Sequence, residues 1–360
     1  MKVPMGSLRR RAPRSRIATA SGGCRARDRP RLADACALVP RILATESRLL
    51  PPGALRAVVA HAQLTSTDVA VIVLATIHEP PCVVIKMPMS AEAARGIQRE
   101  TGTLAALRGD RRLGAWRDLM PRPCTSGKVG AQSYRVDVAL RGRPALDRVQ
   151  HGAARERMLD TAAEAIHVLH RTTATTVLGD AGLARRWVDE PLDELLRHGG
   201  RRKSLAPGLE RLRDELHDAL GGGTLSAAWI HGDYWLGNLL FSGERSTPAG
   251  IVDWDGAAPL ELPLHDLLHL LLYTRRLVTG AELGQIVHQQ LSGRAWSSQE
   301  RRLLDRYGAW RQDGSLSDRQ ALLLYWLRHV ALHARQHPAP APYRYRIWER
   351  RNVDPVLEAL

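Results

Sequence analysis

The stretch "HGDYWLGN" (231–238) sets Asp233 and Asn238 five positions apart in one polar loop. A second stretch, "GIVDWDG" (250–256), puts Asp253 directly after a short apolar run. All three side chains offer oxygen atoms. Carboxylate and carboxamide oxygens suit a hard cation such as Mg²⁺, which keeps several waters and takes few protein ligands. A further carboxylate can accept a proton from a hydroxyl. The set therefore fits a reaction that handles a hydroxyl and negatively charged oxygens together.

An upstream pair points the same way. Lys86 is the lone charge in the apolar run "CVVIKM" (82–87), where a lysine either snorkels or meets a partner. Ile97, Glu100, Leu104 and Leu107 follow at spacings of three, four and three, which is one face of a helix. Glu100 thus enters an apolar stripe, where an unpaired carboxylate is costly. Pairing Lys86 with Glu100 answers both problems.

The elements that must position these residues follow from periodicity. Residues 32–62 read as helical turns broken at Pro51-Pro52. Val69–Thr76 and Cys82–Met87 read as an antiparallel hairpin across a Pro-containing turn. A helix follows over Ala91–Leu107, then a strand over Gln132–Leu140. Beyond Ala153 the pattern is mostly helical: Met158, Ala162, Ile166 and Leu169 share a face. Leu239–Phe241 and Gly250–Val252 read as short strands, and Leu264–Leu277 as a buried helix, apolar nearly all round. Further helices are expected over 281–291, 299–307 and 319–333, then a surface connector, "PAPAPYRYR" (338–346), and a docked last turn over 353–360.

Several neighbouring residues invite simpler roles. Trp235 and Trp254 read as wedges that fix loop shape, and Asp255 as a loop brace. Asp266 reads as a cap near the start of the buried helix. His265 and His269, four apart, have no third ligand pattern and read as packed or solvated rather than metal-binding.

The chain has 360 residues, 44% hydrophobic and 25% charged, in the range of globular proteins of about two domains. Its net charge is +15, much of it in the first 31 residues, where Lys2 and nine arginines face Asp28 alone. That segment is expected to be disordered. The arginine excess is read as compositional bias rather than a nucleic-acid surface. Cys24, Cys36, Cys82 and Cys124 show no metal spacing, and free thiols in a reducing cytoplasm are expected. No stretch has the length and apolarity of a membrane span.

"HGDYWLGN" with "IVDWDGA" resembles the aminoglycoside phosphotransferase and choline kinase superfamily, the small-molecule branch of the protein-kinase-like fold. The order Lys86, Glu100, "VLH" (168–170) and the two motifs matches as well. The resemblance implies an α+β, two-lobe, protein-kinase-like fold with a small N-terminal β-rich lobe and a larger, mainly helical C-terminal lobe. Expected boundaries are a tail to residue 31, a nucleotide lobe over 32–140, a catalytic lobe over 141–335 and a C-terminal extension over 336–360.

The resemblance also implies roles: Asp233 as catalytic base, His231 as the histidine bracing its loop, Asn238 and Asp253 as Mg²⁺ ligands, and Lys86 with Glu100 as the phosphate-contacting pair. The strand end at 138–140 would be the hinge whose backbone meets adenine. ATP and Mg²⁺ are the implied cofactors and a small-molecule hydroxyl the acceptor: a sugar, amino alcohol, glycan precursor or antibiotic. The chain departs from the family at "LTSTDVAV" (64–71), which has no glycine where the family's nucleotide loop often does. There Ser66 and Thr67 hydroxyls would substitute for backbone amides. That loop motivates one alternative, a catalytically silent nucleotide sensor or scaffold; the basic tail motivates another, a nucleic-acid-binding protein.

Overall fold

β-Branched and apolar residues that alternate along the first third of the chain assemble one sheet. The structure, a computed structural model, describes residues 28–76, 79–198, 205–243, 246–308, 316–336 and 342–360. Residues 1–27 of the expected basic tail, with Cys24, lie outside the described residues. Helix α1 (Arg29–Thr45) starts inside that expected tail and precedes β1 (Val58–Leu64), β2 (Val69–Ala75), β3 (Pro81–Pro88), α2 (Ala91–Gly109), β4 (Arg122–Val129) and β5 (Gln132–Val138). The five strands form an antiparallel sheet in the order β1-β2-β3-β5-β4.

Successive side chains of a strand point to opposite faces. Ala70, Ile72 and Leu74 of β2, Val83, Ile85 and Met87 of β3, and Tyr134 and Val136 of β5 pack with Ile42 of α1 in one core. The intervening positions Lys86, Arg135 and Asp137 fall on the other face, with Lys86 directly opposite Arg135. Helix α2 starts at a Ser90 cap and sends Leu104 and Leu107 into a second, larger core.

Two strands depart from the sequence expectation. Residues 58–62, expected to be helical, belong to β1, and β4 was not foreseen. Both are edge strands with mostly exposed or half-exposed side chains. An edge lacks the strong apolar alternation that marks a strand buried by neighbours.

The remainder comprises β6 (Arg143–Pro144), α3 (Gly152–Thr173), β7 (Thr175–Leu178), α4 (Ala181–Ala184), α5 (Glu190–His198), α6 (Ala206–Leu220), β8 (Thr224–Ile230), β9 (Leu239–Ser242), β10 (Thr247–Ile251), β11 (Ala258–Glu261), α7 (Leu264–Thr279), α8 (Leu283–Leu291), α9 (Ser298–Tyr307), α10 (Asp318–Gln336), α11 (Pro342–Asn352) and α12 (Asp354–Glu358). Two small sheets, β10-β9-β6 and β11-β8-β7, support the loops that carry Asp233 and Asp253. The part of the expected connector after residue 341 is helical instead, beginning at Pro342, a residue suited to a first helical turn. The C-terminal segment belongs to the helical core: Val353, Val356 and Leu357 are buried, and Trp326 Nε1 donates to the Asn352 carbonyl at 2.8 Å. No helix among the described residues is long and apolar enough to cross a membrane.

Candidate active site

On the inner face of the sheet, the expected pair forms and is part of something larger. Lys86 Nζ lies 2.8 Å from both carboxylate oxygens of Glu100. Arg135 Nη2 donates to Glu100 Oε2 at 2.7 Å and to Asp137 Oδ2 at 2.9 Å. Burial would raise the Glu100 pKa, but Lys86 and Arg135 outweigh it and hold the carboxylate at about 2. Burial likewise opposes the Lys86 charge, yet Glu100 keeps the ammonium above its ordinary range. Glu100 Oε1 also accepts from the Trp254 N–H at 3.4 Å, which ties this network to the residue after Asp253.

The "HGDYWLGN" loop spans β8 to β9 and is braced from three sides. Asp266 is fully buried and does not cap its own helix, whose preceding position is Pro263. Its carboxylate instead accepts from the backbone N–H groups of His231 and Gly232, each at 2.8 Å, and faces His170 Nε2 at 2.9 Å. Donors around a buried carboxylate favour its charged form; burial opposes the Asp266 charge, but His170 holds its pKa below the usual range. His231 Nε2 donates to the Val252 carbonyl at 3.0 Å, and its Nδ1 accepts from the Asp233 N–H at 3.3 Å. Burial keeps this imidazole neutral, so it braces two loops rather than carrying charge.

Gly232 adopts φ +80°, and a Cβ there would lie 2.1 Å from the Gly256 carbonyl oxygen. Only glycine lets the two loops touch. Arg328 clasps the junction through the carbonyls of Gly232 and Gly256, at 3.3 and 3.0 Å. Trp235 folds over Gly237, and buried Trp254 packs edge-on against His231, so both tryptophans shape the loops.

Asp233 is held at both oxygens. Asn238 Nδ2 donates to Oδ2 at 2.9 Å and to the Asp233 carbonyl at 2.9 Å. His269 Nε2 donates to Oδ1 at 2.9 Å, while its Nδ1 meets the Tyr325 hydroxyl at 2.9 Å. Burial opposes the charge, but the His269 hydrogen bond, with His231 and His329 nearby, keeps Asp233 ionised, well below the usual carboxylate range. Burial drives Tyr325 well above the usual phenol range, so its O–H persists and points into Nδ1. His269 was expected to be packed or solvated; it is a partner of Asp233.

Asp253 follows β10 with φ +70°, a left-handed conformation that Asp tolerates better than most residues. Burial first, then Asp255, pushes its pKa up to about 8, with Lys86 opposing. Glu100 and Asp233 add further like charge around it. Such crowding is what a bound cation relieves. With its Nδ2 engaged, Asn238 keeps Oδ1 as its remaining donor atom. No cluster of three or more His, Cys, Asp or Glu among the described residues has metal-binding geometry. Two oxygen ligands, completed by phosphate oxygens and water, match Mg²⁺ better than a site made wholly of protein.

The glycine-free loop is a turn between β1 and β2. Its left-handed position is Asp68, φ 64°, anchored by Arg31 at 2.9 Å. Arg31 is thus a working part of the sheet region, not of a free tail. The Thr67 hydroxyl bonds Thr65 at 3.0 Å, and Ser66 is exposed. At the 138–140 strand end, the Ala139 N–H is spent on the Cys82 carbonyl.

Arg135, Asp137, Asp266, His269 and Tyr325 were missed as site residues. For Arg135 and Asp137 a signal existed: opposite charges two apart, between apolar neighbours, in "SYRVDV" (133–138).

The sequence model of the phosphotransferase enzyme family matches residues 73–304. No curated protein matches the chain by sequence. Among solved structures, aminoglycoside phosphotransferase APH(4)-Ia aligns over 90% of this chain and 99% of its own, with 12% identity and a TM-score of 0.55. A thermostable mutant of that enzyme, in a ternary complex with AMP-PNP and hygromycin B, aligns over 89% and 98%, with 12% identity and a TM-score of 0.55. Aminoglycoside phosphotransferase APH(3'')-Id from Streptomyces rimosus, in complex with ADP and streptomycin, is 18% identical over 82% and 98%, with a TM-score of 0.47.

Proposed function

This chain belongs to the phosphotransferase enzyme family, and from that premise we propose that it transfers the γ-phosphoryl group of ATP to a hydroxyl of a small molecule, with Asp233 as base. Its architecture is the protein-kinase-like two-lobe α+β fold expected from the sequence. On this reading residues 32–140 form the nucleotide lobe and 141–335 the catalytic lobe, with 336–360 as a C-terminal extension.

The observation that carries the proposal is the state of Asp233: ionised, with one oxygen fixed by Asn238 and the other by His269. A carboxylate oxygen has lone pairs to spare for an acceptor hydroxyl, and a fixed orientation contributes to catalysis by positioning. Asp233 takes the hydroxyl proton as the oxygen attacks phosphorus. Asn238 and Asp253 would hold Mg²⁺, which neutralises charge on the phosphate oxygens when bound. Lys86, fixed by Glu100, is placed to meet nucleotide phosphates, and Ser66 offers a free hydroxyl from the β1–β2 turn. His231 and Asp266 hold the loop in shape.

A Mg-ATP phosphorylation screen over metabolites and antibiotics, with Asp233→Asn as control, tests this. Mg²⁺-dependent product that disappears in the variant is expected. Turnover that survives Asp233→Asn refutes the assigned base, and no turnover with any acceptor or with water favours the silent-scaffold alternative.

A further inference from the structure

Charges of alternating sign run across the inner face of the sheet: Lys86 on β3, Glu100 on α2, then Arg135 and Asp137 on β5. Their exposure differs. The Lys86 side chain is 13% exposed, whereas Glu100, Arg135 and Asp137 are buried. Of the four, Lys86 alone is placed to meet a ligand. Burial opposes the Arg135 charge, but Glu100 and Asp137 outweigh it and keep the guanidinium ionised. Arg135 Nη1 also donates to the Thr101 hydroxyl at 3.0 Å, so one guanidinium ties β5 to the helix that carries Glu100. The Thr101 O–H itself donates to the Ile97 carbonyl at 2.7 Å, which leaves the oxygen's lone pairs for Arg135.

The donors of Lys86 are in short supply. An ammonium carries three, and two of them go to the Glu100 oxygens at 2.8 Å each. Any second bond to phosphate is therefore withdrawn from Glu100. A carboxylate this deeply buried loses its counter-charge only at a large penalty. Arg135 removes the conflict. It holds Glu100 Oε2 at 2.7 Å independently of Lys86, in a planar fork that also grips Asp137 at 2.9 Å. The Trp254 N–H, 3.4 Å from Oε1, is a longer and uncharged contact that could not replace a cation. The pair expected from the sequence gave Glu100 one cation, and here it meets a second.

We propose that Arg135 is a positioning residue for phosphate binding: it holds Glu100 in place and so releases Lys86 to bind the nucleotide phosphates. The proposal rests on the phosphotransferase reading and adds a residue to its nucleotide site. Arg135 acts through Glu100 and Lys86 and, being buried, touches no nucleotide. Asp137 balances its charge, so the Arg135–Asp137 pair adds no net charge to the sheet. On this arrangement Glu100 stays fixed when Lys86 is removed. The help that Arg135 gives reaches the phosphates and not the nucleoside.

Ligand-observed NMR titration of the full chain with Mg-AMP-PNP and with adenosine tests it, alongside thermal unfolding. Arg135→Met with Asp137→Leu removes a buried ion pair as a unit, which folded proteins commonly tolerate. That variant is expected to bind Mg-AMP-PNP roughly tenfold more weakly, the reach of one hydrogen bond to a charged group. Its affinity for adenosine should equal that of the parent chain. In a Lys86→Met background the same double substitution should weaken Mg-AMP-PNP little further, because Arg135 acts through Lys86. Lys86→Met alone should lower the melting temperature slightly, and far more once Arg135 is gone and Glu100 has lost both cations. Arg135→Lys keeps the charge without the fork; it should weaken Mg-AMP-PNP by a smaller factor, and it reads the same point if the double variant does not fold. Unchanged Mg-AMP-PNP affinity in the Arg135 variants, an equal loss for adenosine, or a loss fully additive with Lys86→Met overturns the proposal. Failure of the parent chain to bind Mg-AMP-PNP refutes the kinase reading instead. The melting temperatures then still decide whether Arg135 holds Glu100 without Lys86, and equal losses from Lys86→Met in the two backgrounds would show that it does not.

Discussion

The catalytic loop and the cleft beside it are built on opposite plans. Around Asp233, the key polar atoms have partners: both carboxylate oxygens, both His231 ring nitrogens and both Asp266 oxygens. In the cleft beside Gly256, both ring nitrogens of His265 are buried without a hydrogen-bond partner. A satisfied network is rigid and holds one geometry. An unsatisfied one is costly by itself and becomes favourable when a ligand supplies the missing groups. The contrast separates a loop whose polar atoms are paired from a neighbouring histidine whose ring nitrogens are not.

The largest test of the loop is chemical. Asp233→Asn is expected to lower kcat about 10²–10⁴-fold, the usual reach of a positioned base. The fold should survive with some loss of melting temperature, since the amide keeps the shape but turns its NH2 toward one of the two donors. Next comes the scaffold. Asp266→Ala leaves two backbone N–H groups and His170 without their acceptor, and is expected to cost about 3–5 kcal/mol in urea unfolding, as for a buried charged group whose partner is removed. Arg335→Gln in the cleft, by comparison, should cost nearly nothing. Equal losses from the two would erase the contrast between loop and cleft.

What the sequence disclosed follows the same division. Asp233, Asn238 and Asp253 were legible because they lie in two short contiguous motifs. Lys86 and Glu100 were legible because a charge inside an apolar stripe demands a partner. The two-lobe plan was implied by the family resemblance that these motifs carry, and the shift from strand to helix patterning agreed with it. Asp266 and His269 were not legible, because each acts on a loop some 35 positions away through tertiary contact, and helical periodicity alone gives only packing or capping. The edge strands β1 and β4 were hidden for a different reason, since exposed side chains leave no apolar alternation. His265 looked like one more packed histidine, and its lack of partners is a property of the folded surroundings alone.

His269 offers a sharper probe of the loop than its position suggests. Hydrogen bonds to charged groups contribute about 1.5–3 kcal/mol, so His269→Leu is expected to lower kcat roughly ten- to a hundredfold. KM should change little. A merely structural role would leave the pH profile in place. Here the His269 hydrogen bond helps to depress the Asp233 pKa, so its loss moves the acid limb of kcat/KM to higher pH. Tyr325→Phe, which removes only the outer hydroxyl, should shift that limb less.

The smallest expected effect sets the two plans against each other by pH. Glu100 sits at about 2, below its unfolded value near ~4.3. Its stabilisation is therefore present above ~4.3 and lost only as pH falls through about 2. His265 is held neutral by burial, and then by Arg328, down to about 3, against ~6.5 when unfolded. The unfolded chain binds the extra proton first, so His265 lowers stability progressively as pH falls from ~6.5 toward 3. Between pH 6.5 and 5 this amounts to at most about 2 kcal/mol. Asp253, raised to about 8, acts in the opposite sense over this range. The difference between His265→Gln and the parent chain isolates the histidine. Urea midpoints at pH 7.5 and 5 should fall less in the variant, and identical slopes would mean that His265 finds its missing partner within the protein.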